Sequence, residues 1–239
     1  MNLVLLKHTF YSRIKNIARA VLKKPERIDV PVNTFLHSIG GNKIKNFIKI
    51  GSNDGLKNDP FGEMILQFNW NGIMVEPFEP NYKKLRENFG NQQNLVLENA
   101  GISDSNGFFD FYFITDITAD EPDWYDQVGS FNKETFVKNI EVEKKLLSRI
   151  GIKKIECITF DDLVKKHHFT SVDLIHLDTE GYDWKILRTI DINRYKPKVI
   201  LFEIEWLTHY EIREARQHLI KNGYKLYYDG NDCIAVKSA

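Results

Sequence analysis

The sequence predicts a doubly wound α/β domain, and three observations predict it. After Pro25 and Pro31, short apolar strands alternate with amphipathic helices, which implies a mostly parallel sheet with helices on both faces and right-handed crossovers. Two runs, VDLIHLD and KVILFEIE, are almost continuously apolar, as central strands covered on both faces are. The last two runs, in YKLYYDGNDCIAVK, are joined by Asp229, Gly230, Asn231 and Asp232, a hairpin signal that closes the sheet with an antiparallel pair.

Taken in order, FIKIG gives a strand at 47–51 that stops at a glycine, and PFGEMILQFN a helix at 60–69. A strand at 72–76 ends in Glu76, the helix 80–89 follows, and LVLE marks a strand at 94–98 with another at 108–113. The polar, acidic and aromatic stretch from about 115 to 155 fits neither period until a helix near 133–148. Regular alternation then returns with strand 154–159, helix 161–167, strand 172–177, helix 183–189, strand 198–204 and helix 208–221. The closing strands span 224–228 and 232–236.

A chain of 239 residues with 42% hydrophobic content buries one substantial core, so residues 31–239 read as one domain preceded by a segment 1–30. Its 33 basic and 33 acidic side chains cancel, which leaves no overall field to gather nucleic acid. Cys157 and Cys233 lack metal-ligand spacing, which argues against a disulfide scaffold or zinc site and fits a reducing, cytoplasmic setting. Residues 1–24 carry Lys7, Arg13, Lys15, Arg19, Lys23 and Lys24 without Asp or Glu, and Phe10, Ile14, Ile17, Val21 and Leu22 recur among them at helical spacing. This is a basic amphipathic helix, suited either to docking on the domain or a twin subunit in a homodimer, the preferred reading, or to an anionic inner membrane face.

Ligands of such sheets bind beyond the carboxyl ends of the strands, so the residues just after each strand are the informative ones. The turn Gly51-Ser52-Asn53-Asp54-Gly55 lacks the middle glycine of a dinucleotide fingerprint and the Gly-Lys-Ser/Thr of a phosphate loop. A carboxylate at its tip repels pyrophosphate but suits an amino group, and Glu76 is placed to accept both hydroxyls of a ribose. A nucleoside joined to an amino acid without phosphate describes S-adenosylmethionine. Alternation along DLIHLDTEG puts His176, Asp178 and Glu180 on one side as the strand leaves the sheet, with Gly181 permitting the exit and Asp183 placed to cap the next helix. Glu203 and Glu205 leave the neighbouring strand towards the same cleft, so up to four carboxylates converge and must share protons, pair with cations or hold a metal.

The motifs FIKIGSNDG, GIMVEPFEPNYKKLRENF, NAGISDSNG, ITFDDL and VDLIHLDTEGYDWKIL, spread from about 45 to 206, resemble those of the FkbM family of S-adenosylmethionine-dependent methyltransferases. The resemblance implies a class I methyltransferase fold, which has the same antiparallel hairpin, and O-methylation of a sugar or glycan hydroxyl. It places the methionine part on Gly51, Asn53, Asp54 and Gly55, the ribose on Glu76, the adenine near Asn99, Ala100 and Asp104, and Asp178 beside the reacting methyl group. Many members carry lysine where this chain has His176.

Methyl transfer to a hydroxyl needs a base, for which His176, Asp178 and Glu180 are the candidates; a magnesium-like ion on Asp178, Glu180 and Glu203 is the less favoured alternative. The irregular segment within 115–150 reads as a lid or acceptor-binding region, with Trp124 and Tyr125 to stack on a sugar and Asp120, Glu121 or Asp123 to accept its hydroxyls. Arg188, Lys198 and Arg213 are candidate partners for Glu203 and Glu205. Rival readings are a nicotinamide-dependent oxidoreductase and a non-catalytic binding module on the same fold.

Overall fold

Apolar strands fed alternately by helices on two sides fold here into one continuous sheet with a core on each face. The computed structural model describes residues 26–238 except 29, 31, 39–42, 58 and 60. The basic helix expected over residues 1–24 lies outside the described residues.

The strands of the main sheet are β1 (Glu26–Arg27), β2 (Asn46–Ile50), β3 (Asn71–Val75), β4 (Leu95–Glu98), β8 (Leu174–Leu177), β9 (Val199–Glu203), β10 (Tyr224–Tyr228) and β11 (Asp232–Lys237). Their order is β1-β10-β11-β9-β8-β2-β3-β4, parallel except that β11 runs antiparallel between β9 and β10. Three further strands, β5 (Gly101–Ser103), β6 (Gly107–Ile114) and β7 (Ile150–Thr159), make a second small sheet in the order β5-β7-β6. The helices are α1 (Val32–Ser38), α2 (Gly62–Phe68), α3 (Glu79–Phe89), α4 (Lys133–Ile140), α5 (Phe160–Lys166), α6 (Asp183–Leu187), α7 (Ile192–Tyr195) and α8 (His209–Lys221).

The two faces of the sheet explain the apolar runs. Ile48, Ile50, Ile73, Val75, Ile175 and Leu177 pack into one cluster with residues of α5, α6, α7 and α8, while Phe47, Met74, Leu174 and Leu201 pack into another with α1, α2 and α3. Burial of each such side chain contributes roughly 1.5–3 kcal/mol. Local signals start the helices: Thr159 caps α5 on the amide of Asp162, Asn132 caps α4, and Thr208 and Glu211 form a reciprocal capping box on α8. Asp183 does not cap. It is the first residue of α6 and its carboxylate accepts from the Thr179 hydroxyl (2.8 Å) and the Glu203 amide (3.2 Å), which ties the exit of β8 to β9.

The irregular stretch 115–150 is more ordered than its polarity suggests. A 3-10 turn (Asp123–Asp126), α4 and a second 3-10 turn (Lys144–Arg149) close a third apolar cluster around Tyr125, Phe136, Ile140 and Leu146. The expected long helix 133–148 therefore breaks after Ile140. Tyr125 is buried and donates to Glu143, Trp124 packs edge-on against it, Glu121 is paired with Arg149, Asp120 accepts from Thr118, and Asp123 is paired with Lys57. The acids expected to receive sugar hydroxyls thus have partners within the protein. Among the described residues no helix is long and apolar enough to cross a membrane.

Candidate functional site

A cleft open to solvent lies over the carboxyl ends of β3, β2 and β8 and under the second sheet. Backbone geometry makes it. Gly51 sits at φ +80°, and a Cβ there would lie 1.7 Å from the carbonyl oxygen of Asp178, so only glycine lets the turn after β2 reach the exit of β8. Its amide and that of Ser52 both donate to the Val75 carbonyl, which locks the turn against β3.

Glu76, directly after β3, is buried with both oxygens engaged: Oε2 accepts from the Asn53 amide and Oε1 from the Phe78 amide, each at 2.8 Å. Burial outweighs these bonds and raises its carboxyl to about 7. Next to it, Lys49 projects from β2 and is 2% exposed. Its Nζ lies 3.1 Å from Nδ1 of His176, its register partner on β8, and 3.3 Å from Oδ2 of Asp59.

Beyond β8 the character changes. Oxygens of Asp178, Glu180 and Glu203 lie within 4.8 Å of one another. Asp178 is exposed through the cleft, yet enclosure by the surrounding protein raises its carboxyl, with Lys49 opposing that rise. Glu180 adopts φ +52° and accepts a hydrogen bond from Asn139 (2.9 Å); burial and the charge of Asp178 hold its carboxyl well above the usual range. Glu203 stands behind them, raised to about 11 by burial and then by its acidic neighbours, and its Oε2 has no hydrogen-bond partner among the described residues. Above this floor, Phe78 packs against Phe111 and Phe113, and Phe131 against Tyr182.

The family profile described as "Methyltransferase FkbM domain" matches residues 28–226. The chain belongs to the FkbM methyltransferase family. No curated protein matches the chain at the sequence level. Solved structures with a similar chain path include an FkbM methyltransferase from Methylobacillus flagellatus, at 13% identity and TM-score 0.48, covering 90% of this chain and 48% of that one. The chain thus spans about half the length of that relative. A precorrin-6y C5,15-methyltransferase from Geobacter metallireducens is 14% identical at TM-score 0.44, with coverage of 86% and 87%. A Bacillus cereus O-methyltransferase in complex with S-adenosylhomocysteine is 11% identical at TM-score 0.40, with coverage of 96% and 91%.

Within this FkbM domain the structure brings Gly51, Asn53, Glu76, Asp178 and Glu180 to the cleft wall. It does not bring Asp54 there, because both Leu56 and Lys57 donate their amides to Asp54 Oδ1 in a tight local turn. Gly55 backs the turn against Phe89 and Leu85 instead of facing the cleft. Asn99 spans to the Glu76 and Pro77 carbonyls, Ala100 is buried beside it, and Asp104 pairs with Arg188 (3.3 Å) and Lys185 (3.8 Å) on the protein's flank. The cleft wall near Glu76 is made by Pro77, Phe78 and Ile102.

His176 is also displaced from the expected position. Side-chain alternation turns it inwards, where it is buried and stacks on Phe61 at a ring distance of 4.4 Å. Burial first, and Lys49 second, lower its pKa well below the usual value, so it is neutral and receives a hydrogen bond from the lysine. Glu205 is exposed and takes the Asn231 amide, while Lys198 pairs with Asp173 and Arg213 with Glu214. Sequence reasoning missed Lys49 and Asp59. Lys49 did leave a signal, since a lysine inside the apolar run FIKI needs a partner once that run is buried.

Proposed function

We propose that this FkbM domain is an S-adenosylmethionine-dependent O-methyltransferase whose acceptor is a sugar or glycan hydroxyl. The observation that carries the reading is the placement of Glu76 and Asp178 at the two ends of one cleft, with the Gly51 turn between them. The chain's own groups fit the cofactor. Glu76 presents an anchored carboxylate for the ribose, Pro77, Phe78 and Ile102 offer an apolar wall for adenine, and the glycine turn leaves room for the methionine chain to cross β2. When bound, S-adenosylmethionine supplies an electrophilic methyl group on sulfur.

The protein must then align a hydroxyl with that methyl, exclude water and take up the hydroxyl proton. Asp178 is the base. Of the three clustered carboxyls, Glu180 and Glu203 are held protonated by burial and by the acids around them, whereas the rise that burial gives Asp178 is opposed by Lys49 and the cleft exposes it to the acceptor. Asn139, by holding Glu180, orients the group that stands next to Asp178. The segment 115–150 covers the acceptor side, contributing Ile117, Tyr125, Asp126 and Gln127 to the cleft wall. Residues 31–239 act as the catalytic domain with this segment as its lid.

A second reading is favoured by the close approach of Asp178, Glu180 and Glu203: a divalent ion there, with these carboxylates deprotonated, acidifies the hydroxyl directly. Tritiated methyl transfer from S-adenosylmethionine onto nucleotide sugars and glycan extracts tests the function. Labelled sugar from the wild type and none from Asp178→Asn supports it; label on neither, or on both, overturns it.

A further inference from the structure

The fate of Asp54 leaves the amino-acid end of the cofactor without a recognised partner, and the floor of the cleft offers another. In the sheet order β3, β2, β8, Glu76 follows the first strand and Asp178 the last, so a ligand that reaches from one to the other must pass over the end of β2. Strands lie about 4.8 Å apart. The passage is therefore about 10 Å wide, and both Lys49 and Asp59 line it.

These two groups have the valences of an unfilled site. An ammonium has three donors. Among the described residues Lys49 hydrogen-bonds His176 and approaches Asp59 only as an ion pair, which leaves donor capacity for the cleft. The Asp59 side chain is 7% exposed; its Oδ1 accepts from the Phe61 amide at 2.9 Å, but among the described residues its Oδ2 has no hydrogen bond and only the 3.3 Å ion-pair approach of the lysine. An ammonium in the cleft would give that oxygen the hydrogen bond it lacks.

We propose that Lys49 and Asp59 form a clamp for the zwitterionic end of S-adenosylmethionine, Lys49 holding the α-carboxylate and Asp59 the α-ammonium. The clamp rests on the cofactor reading above. It also accounts for His176, whose ring is fixed on Phe61, accepts from Lys49 and aims the amine at the cleft. His176 is a positioning residue and touches neither the cofactor nor the acceptor.

Calorimetry on the full chain with three probes tests this: S-adenosylhomocysteine, 5′-methylthioadenosine, which lacks the amino-acid end, and decarboxylated S-adenosylmethionine, which keeps only its ammonium. Asp59→Asn weakens S-adenosylhomocysteine at least about 10-fold, as loss of a buried charged partner does, and leaves methylthioadenosine unchanged. Lys49→Gln weakens S-adenosylhomocysteine similarly but spares the decarboxylated probe, and His176→Leu produces a smaller loss of the Lys49→Gln pattern. Unchanged S-adenosylhomocysteine binding in Asp59→Asn, or equal losses of all three probes in a variant with wild-type circular dichroism, overturns the clamp. If one variant does not fold, the other is decisive by the same criterion. A wild type that binds none of the probes overturns the cofactor reading itself, and the clamp with it.

Discussion

The two ends of the cleft treat their carboxylates in opposite ways. At the β3 and β2 end every acid has a partner: Glu76 has two backbone amides, and Asp59 has an amide and Lys49. At the β8 and β9 end three acids face one another, with Asn139 the neutral donor to Glu180. The first arrangement is preorganised for binding, because its donors and acceptors are fixed before a ligand arrives. The second retains protons it would lose in water, which is the condition for proton transfer in the neutral range.

Removing the cleft-facing member of the acidic end tests the contrast most severely. Asp178→Asn is expected to lower kcat by about 10²–10⁴ with S-adenosylhomocysteine affinity retained, as measured by single-turnover methyl transfer and calorimetry. A loss of affinity instead of rate would make Asp178 part of the binding end. Disturbing the junction of the two ends has the next largest effect: Gly51→Ala forces a left-handed alanine against the Asp178 carbonyl and costs about 3 kcal/mol or more in urea unfolding. At the binding end, Glu76→Gln is expected to weaken both S-adenosylhomocysteine and methylthioadenosine about 5–100-fold, because both carry the ribose.

Stability against pH separates the ends by range, because Glu76 is raised only to about 7 whereas Glu203 is raised much further. Glu203 has a folded pKa raised to about 11 from an ordinary 4.5, so the folded state binds the extra proton throughout that window. Stability from this group is fully present below about pH 4.5 and is lost as pH rises towards the folded value. Glu203→Gln keeps a neutral side chain there, and should raise Tm at pH 8 by about 2–4 °C, the shift of roughly 1 kcal/mol in a domain this size. A lower Tm would mean that Glu203 is ionised and paired. The smallest effect expected is that of EDTA, which leaves turnover unchanged; abolition by EDTA and rescue by magnesium would favour the ion-bound version of the acidic end.

Strand positions and strand-end acids were legible from the linear pattern because burial on two faces imposes continuous apolarity and ligands sit where strands stop. Hence Glu76, Asp178 and Glu180 are found at the cleft as the pattern implies. Asp54 misled for a local reason, since Asx turns and ligand loops use the same residues. His176 misled because alternation places it on a face without saying what covers that face, and Phe61 does. The second sheet was half hidden: β6 and the later part of β7 are apolar enough to read, but β5 is three residues long and β7 begins inside a polar stretch.

By itself the sequence determined the layered α/β architecture, the antiparallel closure and the acids that end the strands, because each is encoded in periodicity and turn chemistry within a few residues. Only the tertiary structure decided that Lys49, Asp59 and His176 meet beneath the cleft and that three carboxylates share the space beyond β8. Those groups come from segments separated by up to 127 positions for the Lys49 and His176 pair, and their protonation depends on burial that no local pattern records.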